Sequence, residues 1–370
     1  MKKRLAPLLF LLLSACVLVM TALAAGGDAA DPLISLSYLN GTYQSKIDTA
    51  VGTKLDASDK ALAQNAAKQI QAMASGLSGS TAASLQEQRL KSGDALYGST
   101  GLTCMVMAGG VKVTFSAGAV VDVTTGKEVP SGTALAARHR YLVAEDTTAA
   151  FTVSSLTAVV NFEGPYSINY SMATDYNAMA DALKAMHLFK GSFTAYGSGY
   201  DLEVSATRLQ ALIMFIRVLG EEDAALAWSG TTPFTDIARG SEAERYVGYA
   251  LEKGYTNGFT ATTFLPSRPA SANQYVEFML RALGYSSTAT TNLTDTMERA
   301  VTAGVLTTGE SAMLKASTFL RAQLVYVSYY ALDAQISGSG QTLAQRLMDA
   351  SIFTAAEQAS AKSLVTGARL

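Results

Sequence analysis

Few side chains in this sequence are placed for acid, base, nucleophilic or metal chemistry. Its two histidines, His139 and His187, lie far apart, and neither has carboxylates at helical spacing, so no zinc-ligand set can be read. Cys104 sits in the apolar run Leu102-Thr103-Cys104-Met105-Val106-Met107 and reads as a buried structural thiol rather than a nucleophile. Glu221-Glu222-Asp223 follows a helix end at Gly220 and reads as a solvated charge cluster, because paired catalytic carboxylates need a cleft around them. Asp122, Glu128, Glu145 and Asp146 are the local candidates for a carboxylate-based active site in their stretch, and all four stand in turn-like sequence. No G-x-S-x-G, H-E-x-x-H or phosphate-binding loop occurs, and Gly109-Gly110 reads as a turn. The expectation is a protein without catalysis, cofactor or metal.

Composition narrows the partners. The 370 residues carry 28 Lys+Arg against 30 Asp+Glu, and 16% are charged, where an average globular chain has about 25%. Nucleic-acid binding needs a basic face that this balance does not supply. Lys2-Lys3-Arg4 followed by an uncharged apolar run to Ala25 has the layout of a secretory signal peptide, with Ala22-Leu23-Ala24 as its cleavage site. Two other readings compete: an uncleaved membrane anchor, and a lipoprotein cleaved before Cys16, against which the apolar Val17 to Ala25 argues. Cleavage after Ala24 leaves a formal charge of −5 and Cys104 without an internal disulfide partner.

The expected fold class is α+β: an N-terminal helical segment, a small antiparallel β module and a C-terminal all-α unit. Residues 25–94 read as helical, with a cap at Asp56-Ala57-Ser58, the recurrence Leu62, Ala66, Ile70, Met73, and a second short helix from Ala82 to Lys91. Residues 95–165 read as β. Short runs at Cys104–Met107, Val111–Phe115, Ala119–Val123, Tyr141–Ala144, Ala149–Val153 and Ala158–Phe162 alternate with turn formers and fit a small sandwich or roll. Helical periodicity returns over 171–370.

That last stretch repeats itself. A helix closing in Arg217-Val218-Leu219-Gly220 finds a second copy closing in Arg281-Ala282-Leu283-Gly284 and a third ending near Ala331-Leu332. Arg208 and Leu219 each precede Ala272 and Leu283 by 64 residues, and these precede Arg321 and Leu332 by 49. The copies span about 175–220, 233–284 and 292–335, followed by a further helix over 342–368.

These repeats resemble the S-layer homology repeat. In the middle copy Phe234-Thr235-Asp236-Ile237, Asn257-Gly258, Phe264-Leu265-Pro266 and Arg281-Ala282-Leu283-Gly284 follow one another in the family's order. The resemblance implies three repeats in a pseudo-threefold helical unit that holds a secreted protein non-covalently to the wall of a Gram-positive, clostridial-type bacterium. The implied ligand is a secondary cell wall polysaccharide, often carrying a pyruvate ketal, with self-association at the surface as a further role. It also implies the site. The family's Thr-Arg position is Thr207-Arg208 in the first copy, Leu320-Arg321 in the third and Ser271-Ala272 in the second, where no guanidinium is offered. An arginine at a helix N-terminus combines a two-pronged donor with free backbone N–H groups, which suits a carboxylate. The acidic position that follows is Gln210, Gln274 and Gln323, each able to complete a cap. Asp236 either caps the first helix or touches ligand, and Tyr246, Tyr249 and Tyr255 either stack on sugar rings or pack. His187 stands where the other copies have Gly254 and Gly304, a position for a left-handed residue. Trp228 is expected to pack on the helices. The competing function is a wall- or sugar-acting enzyme whose active site lies in the β module.

Overall fold

The computed structural model describes residues 44–54, 80–191, 200–285 and 293–370. The chain divides into two units, Met1–Ala72 and Met73–Leu370. In the first, residues 44–54 form a helix, α1. The signal-peptide reading, Cys16 and the helix expected after Ser58 lie outside the described residues. Among the described residues no helix is long and apolar enough to cross a membrane.

The second unit begins with a sheet of β1 (Ser80–Lys91), β2 (Ala95–Ser99), β3 (Thr103–Thr114), β4 (Ala119–Asp122), β5 (Lys127–Glu128), β6 (Arg140–Ala144) and β7 (Thr148–Asn169). The strands pair antiparallel in the order β1-β7-β3-β6-β4-β5. β2 pairs with both ends of β7, Ala95 opposing Thr152 and also Asn169, so the sheet curls on itself. Its interior is filled by Leu96, Leu102, Val106, Val113, Val120, Val143, Phe151, Val160 and Phe162.

Two expectations fail here for physical reasons. The helix expected from Ala82 to Lys91 is strand β1, in register with β7 from Gln86↔Phe162 to Lys91↔Thr157. Its Leu-Gln-Glu-Gln-Arg composition favours a helix, but the exposed edge of β7 supplies hydrogen bonds that outweigh so weak a preference. The turn expected at Gly109-Gly110 is instead a bulge inside one long strand. Buried positions fall at Cys104 and Val106 before it and at Val111 and Val113 after it, so the bulge moves the inward phase by one residue. Gly109 has φ 82, and a Cβ there would stand 2.3 Å from the Thr157 carbonyl oxygen.

The helices follow as α2 (Tyr176–Ala185), α3 (Arg208–Val218), α4 (Glu222–Ala227), α5 (Glu242–Glu252), α6 (Ala272–Ala282), α7 (Thr296–Thr302), α8 (Thr308–Ala316), α9 (Arg321–Ala331), α10 (Leu343–Asp349) and α11 (Ala355–Leu364). They share one apolar core that includes Phe215, Tyr246, Tyr275, Met279, Leu324 and Tyr326. Reciprocal caps open α3 (Thr207 with Gln210), α6 (Ser271 with Gln274), α8 (Thr307 with Glu310), α10 and α11. The residues after α2, α5 and α7 are left-handed as the repeat requires: His187 at φ 63, Gly254 at 74, Gly304 at 70.

The single helix expected over 342–368 is two, α10 and α11, broken at Ser351, whose φ of 59 no helix accommodates. α11 packs on α2. Helix α8 was not anticipated, since its run from Thr308 to Ala316 lacks a clear apolar stripe. Sheet and helices meet where Asn177 Nδ2 donates to the Leu90 carbonyl (3.3 Å), Arg89 pairs with Asp181 (3.1 Å) and Thr157 Oγ1 donates to Glu203 (2.7 Å).

Candidate ligand-binding clefts

Arg208 is fixed from both ends. Thr207 caps α3, its Oγ1 accepting from Gln210 N at 3.2 Å while Gln210 Oε1 accepts from Thr207 N at 3.0 Å. The Arg208 backbone N–H donates to the Arg268 carbonyl (2.8 Å), which ties the helix start to the following repeat. Its side chain then crosses to that repeat, with Nε donating to the Phe264 carbonyl (2.8 Å) and the guanidinium carbon 4.9 Å from the Phe264 ring centre. No carboxylate among the described residues pairs with it, although Arg208 as a whole is only 3% exposed. Burial, then Arg268, lower its pKa, and Asp236 pulls the other way; a guanidinium stays charged throughout.

That charge lines a cleft of about 250 Å³ with Asn257, Gly258, Phe259, Gln274, Glu277 and Arg281. Arg281 is held by Glu277 (2.9 Å), which also takes Arg299 and is buried. Phe259 projects 47% exposed between Arg208 and Arg268, with their guanidinium carbons 5.8 and 4.9 Å from its ring centre. An exposed aromatic beside a cation can take a sugar's apolar face while the cation takes an acidic substituent. The N3 partner in this cleft is Gln274, so no cap carboxylate cancels the positive charge.

A second cleft of about 130 Å³ repeats these positions one copy earlier: Lys190 and Gly191 for Asn257 and Gly258, Gln210 for Gln274, Met214 for Phe278, Arg217 for Arg281, and Arg321 for Arg208. Arg321 N donates to the Val204 carbonyl (2.9 Å), as Arg208 N does to Arg268. The charges differ. Arg321 pairs with Asp201 at 2.7 Å, both nearly buried, and Arg217 and Lys190 both pair with Glu222.

The other candidates are placed elsewhere. Asp236 does not cap a helix: its carboxylate accepts from the backbone of Phe264 (2.9 and 3.2 Å) and Leu265 (2.7 Å), fixing the loop that Arg208 leans on. Tyr249 is 7% exposed, and its hydroxyl donates to Glu221 (3.1 Å), as does that of Tyr255. Burial and Glu221 push both phenols up. Glu221 and Glu222 are therefore a half-buried hub rather than a solvated pair, since Glu222 also accepts from Tyr246 (2.8 Å) and Arg217, whereas Asp223 is exposed as expected. Trp228 packs flat on Gly248, where a Cβ would stand 2.1 Å from the ring, and donates Nε1–H to Glu252. In the β module Asp122 accepts from Thr124 N, Thr125 N and His139 Nδ1 (2.8 Å). Burial raises its pKa, but the His139 and Thr125 bonds outweigh this and lower it, so the group is spent on a turn. The Cys104 thiol is buried and pushed up to about 12 by desolvation.

Sequence reading missed Phe259 and Asp201. The aromatic directly after Asn257-Gly258 is a signal for the first; for the second, Asp201 stands 64 residues before Leu265, and both are left-handed, at φ 47 and 59.

The Asp236-bound loop, the left-handed turn at Gly254 and the cap at Ser271 fall within residues 233–271, which match the family model for the S-layer homology domain, a cell-wall anchoring domain. The chain is an S-layer homology domain-containing protein, associated with the cell surface. No curated protein matches it significantly.

Proposed function

We propose that this is a secreted, non-enzymatic surface protein that holds to the wall by binding a secondary wall polysaccharide in the Arg208 cleft. The three copies act as one pseudo-threefold unit, and the β module is the part displayed or used for self-association. The ligand group facing Arg208 is a carboxylate on the glycan, of which a pyruvate ketal is one form. The observation that carries this reading is a buried guanidinium that no carboxylate pairs with among the described residues, opening on a cleft of mixed polar and apolar lining beside an exposed aromatic. Such a charge is stable where an incoming anion completes it.

The test is co-sedimentation of the protein with native-host wall sacculi before and after the secondary polymer is stripped. Wild type pellets with intact sacculi and stays in solution with stripped ones, and Arg208→Ala stays in solution with both. Wild type remaining in solution with intact sacculi overturns the reading.

A further inference from the structure

Three repeats offer three equivalent places, yet at two of them the chain's own residues answer the site from within. At the Arg321 cleft the Asp201 carboxylate already sits 2.7 Å from Nη1, where a ligand carboxylate would have to go. Residue 265, its counterpart in the next copy, is a leucine, so that position brings Arg208 no carboxylate, and none pairs with it among the described residues.

The third place is closed differently. The third-copy counterparts of Glu277, Arg281 and Asn257 are Tyr326, Tyr330 and Thr307. The Arg369 guanidinium lies 4.9 Å from the Tyr330 ring centre and pairs with buried Glu310 at 2.7 Å. Leu370 N donates to the Tyr326 hydroxyl (3.1 Å), and Thr307 Oγ1 donates to the Leu370 carbonyl oxygen (2.6 Å). The chain's own residues thus occupy the space that Asn257, Glu277 and Arg281 line in the second copy. The arginine supplied there points at a carboxylate of the protein.

Resting on the wall-polymer reading above, we propose that the domain is monovalent for acidic glycan: the Arg208 cleft takes one anionic group, and Asp201 is the specificity residue that denies the Arg321 cleft to a second. An anion entering beside Asp201 meets like charge and must displace an ion pair that is almost dry, whereas at Arg208 it meets an uncompensated cation.

The experiment is calorimetric titration of the full chain with short acidic oligosaccharides released from the purified wall polymer, and with the same oligosaccharides after carboxyl reduction. Wild type binds one acidic oligosaccharide per chain, and reduction of the carboxyl lowers affinity at least tenfold. Asp201→Leu, which installs the residue that the neighbouring copy carries at the same left-handed position, raises the stoichiometry to two. Asp201→Asn does the same while keeping the side chain's shape. Arg208→Ala binds none, and Arg208→Ala/Asp201→Leu recovers one. Two ligands per wild-type chain, one retained by Arg208→Ala, or no gain from either Asp201 variant would overturn monovalence while leaving the anchor reading intact. No binding by wild type or by any folded variant removes both.

Discussion

Arg208 and Arg321 start from equivalent positions and end in opposite electrostatic states because of a residue 120 positions from one of them. Arg321 and Asp201 form a pair that water scarcely reaches. The arginines themselves were legible, since Arg208 stands directly after the cap Thr207 and Arg321 holds the same place in the repeating frame. The pairing was not, because no local pattern links residue 201 to residue 321. Tyr249 shows the same limit from the other side: its ring reads equally well as a sugar platform or as packing until Glu221 is seen to hold its hydroxyl. A prediction belongs here. Glu244 accepts from Gly240 N (2.7 Å), Thr232 N (3.1 Å) and Arg239 (2.7 Å), and these bonds lower its pKa from 4.5 to about 2. A depressed carboxyl stabilises the fold above its unfolded value and loses that contribution as pH falls from about 4.5 through about 2. In acid titrations followed by circular dichroism, Glu244→Gln should be less stable than wild type at pH 7, with the gap closing below pH 4. A gap that stays constant down to pH 2 would mean the carboxylate's charge is not what the loop uses.

Among the elements, those with a period to themselves were legible and those made by a neighbour were not. Helices α3, α5 and α6 follow from apolar spacing and cap residues present in their own sequence. Strand β1 follows from β7, and the long β3 from a bulge that sets two strand phases in one run, so a rule that reads glycine pairs as turns cuts it in half. The helix break at Ser351 carries no glycine to announce it. His187 is the clearest case of a sequence departure with a structural cost. It ends α2 at φ 63, where its counterparts are glycines, and its exposed imidazole has only a 3.4 Å contact with Glu357. His187→Gly should stabilise the protein by about 0.5–1 kcal/mol in urea denaturation, the relief of the left-handed Cβ exceeding the added freedom of the unfolded chain. A loss of stability would assign the weight to the Glu357 contact and to the docking of α11.

On the scale of the whole second unit there are two apolar cores, one inside the curled sheet and one among the helices, joined by a thin seam of polar contacts through Arg89, Asn177 and Thr157 and by Leu156 of β7, which packs on the helical core. The division into a β part and a repeat-bearing α part was readable from the change of period near residue 170, and the seam was not, since its partners lie far apart in sequence. Cores that share so little can open separately. Cys104 turns this into a clock. Its thiol lies within the sheet's core and is held un-ionised until about pH 12, so an alkylating reagent at neutral pH reacts with it only during the moments when the sheet comes apart. Met279→Ala, a cavity in the helical core costing about 2–5 kcal/mol, should hasten proteolysis of the repeats while leaving the rate of Cys104 labelling unchanged. Equal acceleration of both would show a single cooperative unit. The lone thiol of the described residues is thus a timer for the sheet, read one covalent event per molecule while the helical core stays closed.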